Sequence, residues 1–69
     1  MNVKLVYFGE FESELNGQKF KIKRFVDPQT LTLLYGTNLE EKLEEGKMYT
    51  CIINVKRNKL VVVKVIWNH

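Results

Sequence analysis

Apolar and polar residues alternate with a period of two through most of this chain, which is the pattern of strands buried on one face. Val3, Leu5 and Tyr7 alternate with Lys4 and form an inward set at the start. The sharpest local signal is Asn16-Gly17. A two-residue hairpin turn needs positive φ at both central positions, and Asn-Gly is the preferred pair. Closing the chain there predicts that Glu14 opposes Lys19, Glu12 opposes Lys21 and Glu10 opposes Lys23 on one outward face. Phe11–Ile22 and Ser13–Phe20 fall on the other face, and Arg24 points inward opposite Gly9. Farther from the turn the same register brings Tyr7 to Val26 and Phe8 to Phe25. A slip of one residue would scramble both faces.

The first strand, residues 3–15, would be about 40 Å long if straight. A chain this small cannot hold it straight, so it bends, and Gly9 is the natural place. Because Lys4 alternates cleanly with its inward neighbours, the expectation is a bend without a change of face. The second strand, residues 18–26, ends at Asp27-Pro28, which suits the first two positions of a type I turn. The third is expected over residues 30–35, with Leu31, Leu33 and Tyr35 inward and Leu34 outward.

One helix is predicted between the third and fourth strands. Thr37 or Asn38 can cap it, Glu40 and Glu41 stand at capping-box distance, and Gly46 can stop it. Its apolar edge is Leu39 and Leu43, and about seven residues must dock on the sheet to be stable. The fourth strand, residues 48–55, turns Tyr49, Cys51, Ile53 and Val55 inward. The fifth, residues 60–67, turns Val61, Val63, Val65 and Trp67 inward, leaving Leu60, Val62, Lys64 and Ile66 outside. Residues 56–59 form a tight basic turn. A two-residue loop would put Lys64 on the buried face, so a three-residue loop is preferred.

Five strands around a small core close on themselves, since closure removes aggregation-prone edges. The element order, a long bent first strand, a first hairpin and one helix between strands three and four, resembles the oligonucleotide/oligosaccharide-binding (OB) fold. The fold class expected is therefore mostly β: a five-stranded antiparallel OB-like barrel with one short helix, spanning residues 1–69 as a single domain. An SH3-like barrel is the alternative, and a meander crossed by a helix comes third.

Composition narrows the function classes. The chain has 69 residues and a net charge of +3. One cysteine excludes an intrachain disulfide, and with the absence of an apolar leader it fits a cytoplasmic protein. The longest apolar run is broken by Lys64 and is far short of a membrane span, so no membrane partner is expected. Catalysis is not expected either. His69 is terminal, Cys51 lies on an inward face, and no glycine-rich phosphate loop exists. Glu40, Glu41, Glu44 and Glu45 read as a solvated face, not as a metal site. No cofactor is implied.

Two features stand out. Lys19, Lys21, Lys23 and Phe25 share one strand face with Phe8 across from Phe25, and Lys56, Arg57 and Lys59 crowd the last turn. In OB modules the face of strands two and three, with the loops joining strands one–two and four–five, takes the ligand. The resemblance thus implies weak binding of single-stranded nucleic acid without much sequence preference, with Phe8 and Phe25 stacking bases and the cations contacting phosphates. Against this, Glu10, Glu12 and Glu14 stand opposite the three lysines and cancel much of their field. The second feature is surplus outward apolar surface, from which Leu60, Val62 and Ile66 would make a protein or self-association interface.

Overall fold

A computed structural model of the chain describes residues 1–66. It contains five strands: β1 (Asn2–Leu15), β2 (Gln18–Val26), β3 (Leu33–Thr37), β4 (Met48–Lys56) and β5 (Lys59–Ile66). They hydrogen-bond in the order β1-β2-β3-β5-β4, and β4 pairs back onto β1 to close a barrel-like ring. The ring is mixed and not purely antiparallel, because β3 and β5 run parallel through Tyr35 and Val61. Trp67 and His69 lie outside the described residues.

The Asn16-Gly17 turn holds as expected, with φ of 53° and 78°. Six rungs leading away from it, from Leu15–Gln18 to Glu10–Lys23, follow the predicted register. The register then shifts between Tyr7 and Glu10, so that Tyr7 faces Phe25 and Val6 faces Val26, in place of the expected Tyr7–Val26 and Phe8–Phe25 pairs. Phe8 and Gly9 together span the interval opposite Arg24. This is a β-bulge, and the extra residue exchanges the two faces of the strand beyond it. Gly9 makes the bulge possible with a φ of 110°, outside the range of ordinary side chains. A Cβ there would also stand 3.2 Å from Arg24 Nη2 and 2.6 Å from Glu45 Oε1. Gly9→Ala is expected to cost about 1–3 kcal/mol of backbone strain, read as a lower urea midpoint at an unchanged slope.

The inward set of the ring is Leu5, Tyr7, Phe25, Leu34, Tyr49, Cys51, Ile53, Val62 and Val65. Phe25, expected at the surface, is fully buried against Tyr7, with ring centroids 5.5 Å apart. Its inward position follows from the bulge. The third strand also departs from expectation. Asp27 and Thr32 close the preceding turn through Asp27 N–H to Thr32 O at 2.9 Å and Leu31 N–H to Asp27 O at 2.7 Å. Leu31 sits at φ 61° and spends its N–H in this turn, so it cannot join the sheet. Pairing starts at Leu33, which turns Leu34 and Gly36 inward and Leu33 and Tyr35 outward.

The last hairpin has a two-residue loop. Arg57 and Asn58 both take left-handed φ, 51° and 64°, and Lys56 pairs with Lys59. Lys64 nevertheless stays exposed, because a second bulge between Ile52 and Ile53 absorbs Val63 from the opposite strand. On the turn side of that bulge Val62 is inward and only 2% exposed, whereas Val55 is 62% exposed. Beyond it Val65 is inward beside Cys51.

No helix forms among the described residues; residues 38–47 are an irregular strap across one end of the ring. Asn38 at φ 60° leaves the strand in a left-handed turn. Glu40–Glu44 and Glu41–Glu45 would be like-charge i,i+4 pairs in a helix, and the segment is too short to absorb that cost. The strap instead plugs the ring with Leu39 and Leu43. Gly36 makes room for it: a Cβ there would lie 2.5 Å from Leu39 Cδ1 and 3.0 Å from the Val62 carbonyl oxygen. The strap's backbone is satisfied locally, with Glu44 N–H donating to the Tyr49 hydroxyl at 2.9 Å and Gly46 N–H to Tyr7 O at 2.8 Å.

Candidate nucleic-acid interface

The bulge at Gly9 sorts the β1–β2 hairpin into two chemically different faces. The face continuous with the interior of the ring carries the ionic ladder. Lys23 Nζ bonds Glu10 at 2.9 Å, Lys21 reaches Glu10 at 3.9 Å and Lys19 reaches Glu12 at 3.9 Å. The backbone rungs are the predicted ones, but two of the ion pairs run diagonally, so Glu10 serves two lysines. Lys23 is nearly covered, at 12% side-chain exposure, and its hydrogen bond holds the Glu10 carboxyl below the usual range. The ladder looks across a cleft of about 480 Å³ toward Leu39, Glu40, Glu41, Lys42 and Leu43 of the strap. Burial raises the Tyr7 hydroxyl at the floor of this cleft above its ordinary pKa. A phosphate approaching Lys21 or Lys23 would meet Glu10 at the same distance. These lysines form a charge-paired surface, and such pairs contribute little to binding or stability.

The opposite, outer face carries the aromatics. Phe11 and Tyr35 meet edge to face, centroids 6.3 Å apart at 89°, and each is 41% exposed. Arg24 is opposite Tyr35 in the β2–β3 pairing and lies over two rings, 5.1 Å from the centroid of Phe8 and 5.6 Å from that of Phe11. It therefore points outward, not inward as expected. Phe8 does reach the outer face, half-buried under Arg24. Phe25, its expected stacking partner, is in the core and offers a ligand no surface.

A groove of about 320 Å³ runs beside Tyr35, lined by Ile22, Thr37, Asn38, Lys56, Val61 and Val63. A second, of about 340 Å³, lies between Thr37, Asn38, Phe20, Leu15, Asn16 and Gln18. Shared Thr37 and Asn38 join the two into one track from the β4–β5 turn to the β1–β2 turn. Neither groove is lined by a carboxylate. Lys56, Arg57 and Lys59 stand exposed at one end and take part in none of the ion pairs among the described residues.

Sequence reasoning put Phe11, Phe20, Ile22 and Tyr35 inside and left Arg24 out. The signal that could have found them was Gly9 itself, read as a bulge whose change of face takes effect after it and not before. The interface expected on β5 is dispersed: Val62 is buried, while Leu60 and Ile66 sit six residues apart, about 20 Å along a strand. Cys51 is fully buried, and burial, with a lesser push from Glu41, raises its thiol pKa to about 11. No three His, Cys, Asp or Glu side chains converge to hold a metal among the described residues. No family model, no curated protein and no solved structure matches this chain.

Proposed function

We propose that the chain is a non-enzymatic OB-like module that binds single-stranded nucleic acid weakly on the outer face of β1, β2 and β3. The observation that carries this reading is the exposed Phe11–Tyr35 pair beside a carboxylate-free track that ends at Lys56, Arg57 and Lys59. Stacking platforms flanked by uncompensated cations are what a single strand needs: its bases have sequence-independent π faces, and its backbone is a line of negative charge. The strand order, with β3 parallel to β5, is that of OB barrels, and the track follows the β2–β3 face between the two loops that such modules use. The strap stands where their helix would.

Docking of a protein through strand five finds less support, since its central residue is in the core.

Titration of a labelled short oligonucleotide at several salt concentrations tests the proposal. Log affinity should fall linearly with log salt, by about 0.7 per phosphate contacted on a single strand. Replacing Lys56, Arg57 and Lys59 together by glutamine should remove up to about two units of that slope. Replacing Lys19 and Lys21 should leave it nearly unchanged. Salt-insensitive binding, or no binding at protein concentrations on the order of 10⁻⁴ M, the weak end for non-specific complexes, would end the proposal.

A further inference from the structure

Among the described residues Arg24 is the cation seated on the aromatic face, and the fold leaves part of its hydrogen-bonding capacity unused. Its Nε is buried without a hydrogen-bond partner. Nη2 makes a single long bond of 3.5 Å to the Phe8 carbonyl oxygen, and Arg24 joins none of the ion pairs among the described residues. Guanidinium carries five N–H donors in a rigid planar fork, so most of its capacity is unspent. Around it are the rings of Phe8 and Phe11 and, across Gly9, the Glu45 carboxylate, whose Oε1 and Arg24 Nη2 flank the point a Cβ on Gly9 would occupy, at 2.6 and 3.2 Å, without forming an ion pair.

We infer that Arg24 reads a base edge and gives the site a preference for guanine. The inference rests on the proposed nucleic-acid reading. A base stacked on the exposed part of Phe11 or Tyr35 turns one edge toward the guanidinium, because Arg24 shares Phe11 and is the cross-strand neighbour of Tyr35. Guanine presents two acceptors, O6 and N7, on one edge and matches the fork bidentately. Adenine sets an N–H₂ donor beside N7, and thymine or uracil has a donor N3–H between its two carbonyls, so neither presents adjacent acceptors; unpaired cytosine does so only through N3 and O2 on its Watson–Crick edge, which makes thymine the reference base for the test. The fork would fit a phosphate equally well. Its position argues for the base: it lies among the stacking rings, while the cations suited to the backbone stand at the rim in Lys56, Arg57 and Lys59. Phosphate contacts orient a strand and base contacts discriminate.

The test compares three oligonucleotides: all-thymine, the same strand with one central guanine, and that strand with 7-deazaguanine, which keeps the ring and loses the N7 acceptor. The guanine strand should bind about tenfold tighter than all-thymine, and 7-deazaguanine should lose most of the gain. Arg24→Lys keeps the charge without the fork and should bring the guanine and all-thymine strands to the same affinity. Equal affinity for the guanine and thymine strands overturns the inference and leaves nucleic-acid binding standing. An Arg24→Lys protein that weakens toward all strands in parallel, with a shallower salt slope, assigns Arg24 to phosphate and also overturns it. Failure of every strand to bind removes the underlying reading and this one with it. The 7-deazaguanine comparison uses only the wild-type protein, so it stands even if the variant folds poorly.

Discussion

Phe25→Ala is expected to unfold the domain or nearly so. Truncating a fully buried phenylalanine costs about 3–5 kcal/mol, the lost transfer energy plus the cavity left behind. A chain of this length has roughly 3–10 kcal/mol to lose, at about 0.05–0.15 kcal/mol per residue. Phe25 has no exposed surface and packs at 5.5 Å on Tyr7, whose own ring closes the strap end of the core. Leu34 and Leu5 belong to the same cluster of nine buried side chains, so the cavity would be a large fraction of a small core. Each kcal/mol lowers the melting temperature of a 60–100-residue domain by about 4–8 °C, so the loss should read as tens of degrees or as absence of a cooperative transition by circular dichroism. The result discriminates between the two registers of the hairpin. With Phe25 on the outer surface, as simple alternation puts it, the same substitution would barely move the melting curve. A wild-type melting temperature would therefore refute the bulge at Gly9, and with it the sorting of the two faces.

How much of the molecule could be read from its residues follows from how local each signal is. The Asn16-Gly17 turn is decided by two adjacent residues, and the six rungs that follow need only the pleat to repeat. Tyr49, Cys51 and Ile53 were legible for the same reason, since β4 alternates without interruption up to the second bulge. What alternation cannot carry is an inserted residue. Each bulge changes the face of everything beyond it, and its position is set by where the strands must curl to close the ring. Phe25, Phe11, Arg24 and Val62 were misplaced together, on opposite sides of such points. Leu31 and Arg57 are a different case. Both adopt left-handed φ that their side chains disfavour, and the hydrogen bonds and strand pairing that impose it come from residues elsewhere. The strap was misread because its capping residues satisfy local helix rules. The groups it has to reach, Gly36, Tyr49 and Tyr7, are on other strands.

The structure exchanges part of the expected outward apolar set for another, with Leu31, Leu33, Met48, Val55 and Val63 exposed in its stead. Phe25, Leu34 and Val62 are core, and Phe8 is half-buried under Arg24. The apolar surface that remains includes the rings of Phe11 and Tyr35, on a face whose function would require them to be there.

Phe11→Ala and Tyr35→Ala are the substitutions expected to separate binding from folding. Base–aromatic stacking contributes about 1–3 kcal/mol per base, so either change alone should weaken an oligonucleotide by about fivefold to a hundredfold. The double variant should lose less than the product of the two, because the rings touch at 6.3 Å and each orients the other. Both are 41% exposed and neither belongs to the buried core cluster, so melting should fall by only a few degrees. Neither side chain is charged, so the salt slope of the residual binding should match that of the wild type, unlike the loss produced at Lys56, Arg57 and Lys59. Intrinsic fluorescence quenching on titration would report stacking independently, since Tyr35 is among the few tyrosines of the chain and the Tyr35→Ala protein should lose that part of the signal. An undiminished affinity in the double variant, with the fold intact, would mean that the outer face of β1–β3 is not where a strand lies. The cleft of about 480 Å³ could not take its place, because it is walled by the Glu10–Lys23 ladder and the acidic strap, whose carboxylates repel the same backbone.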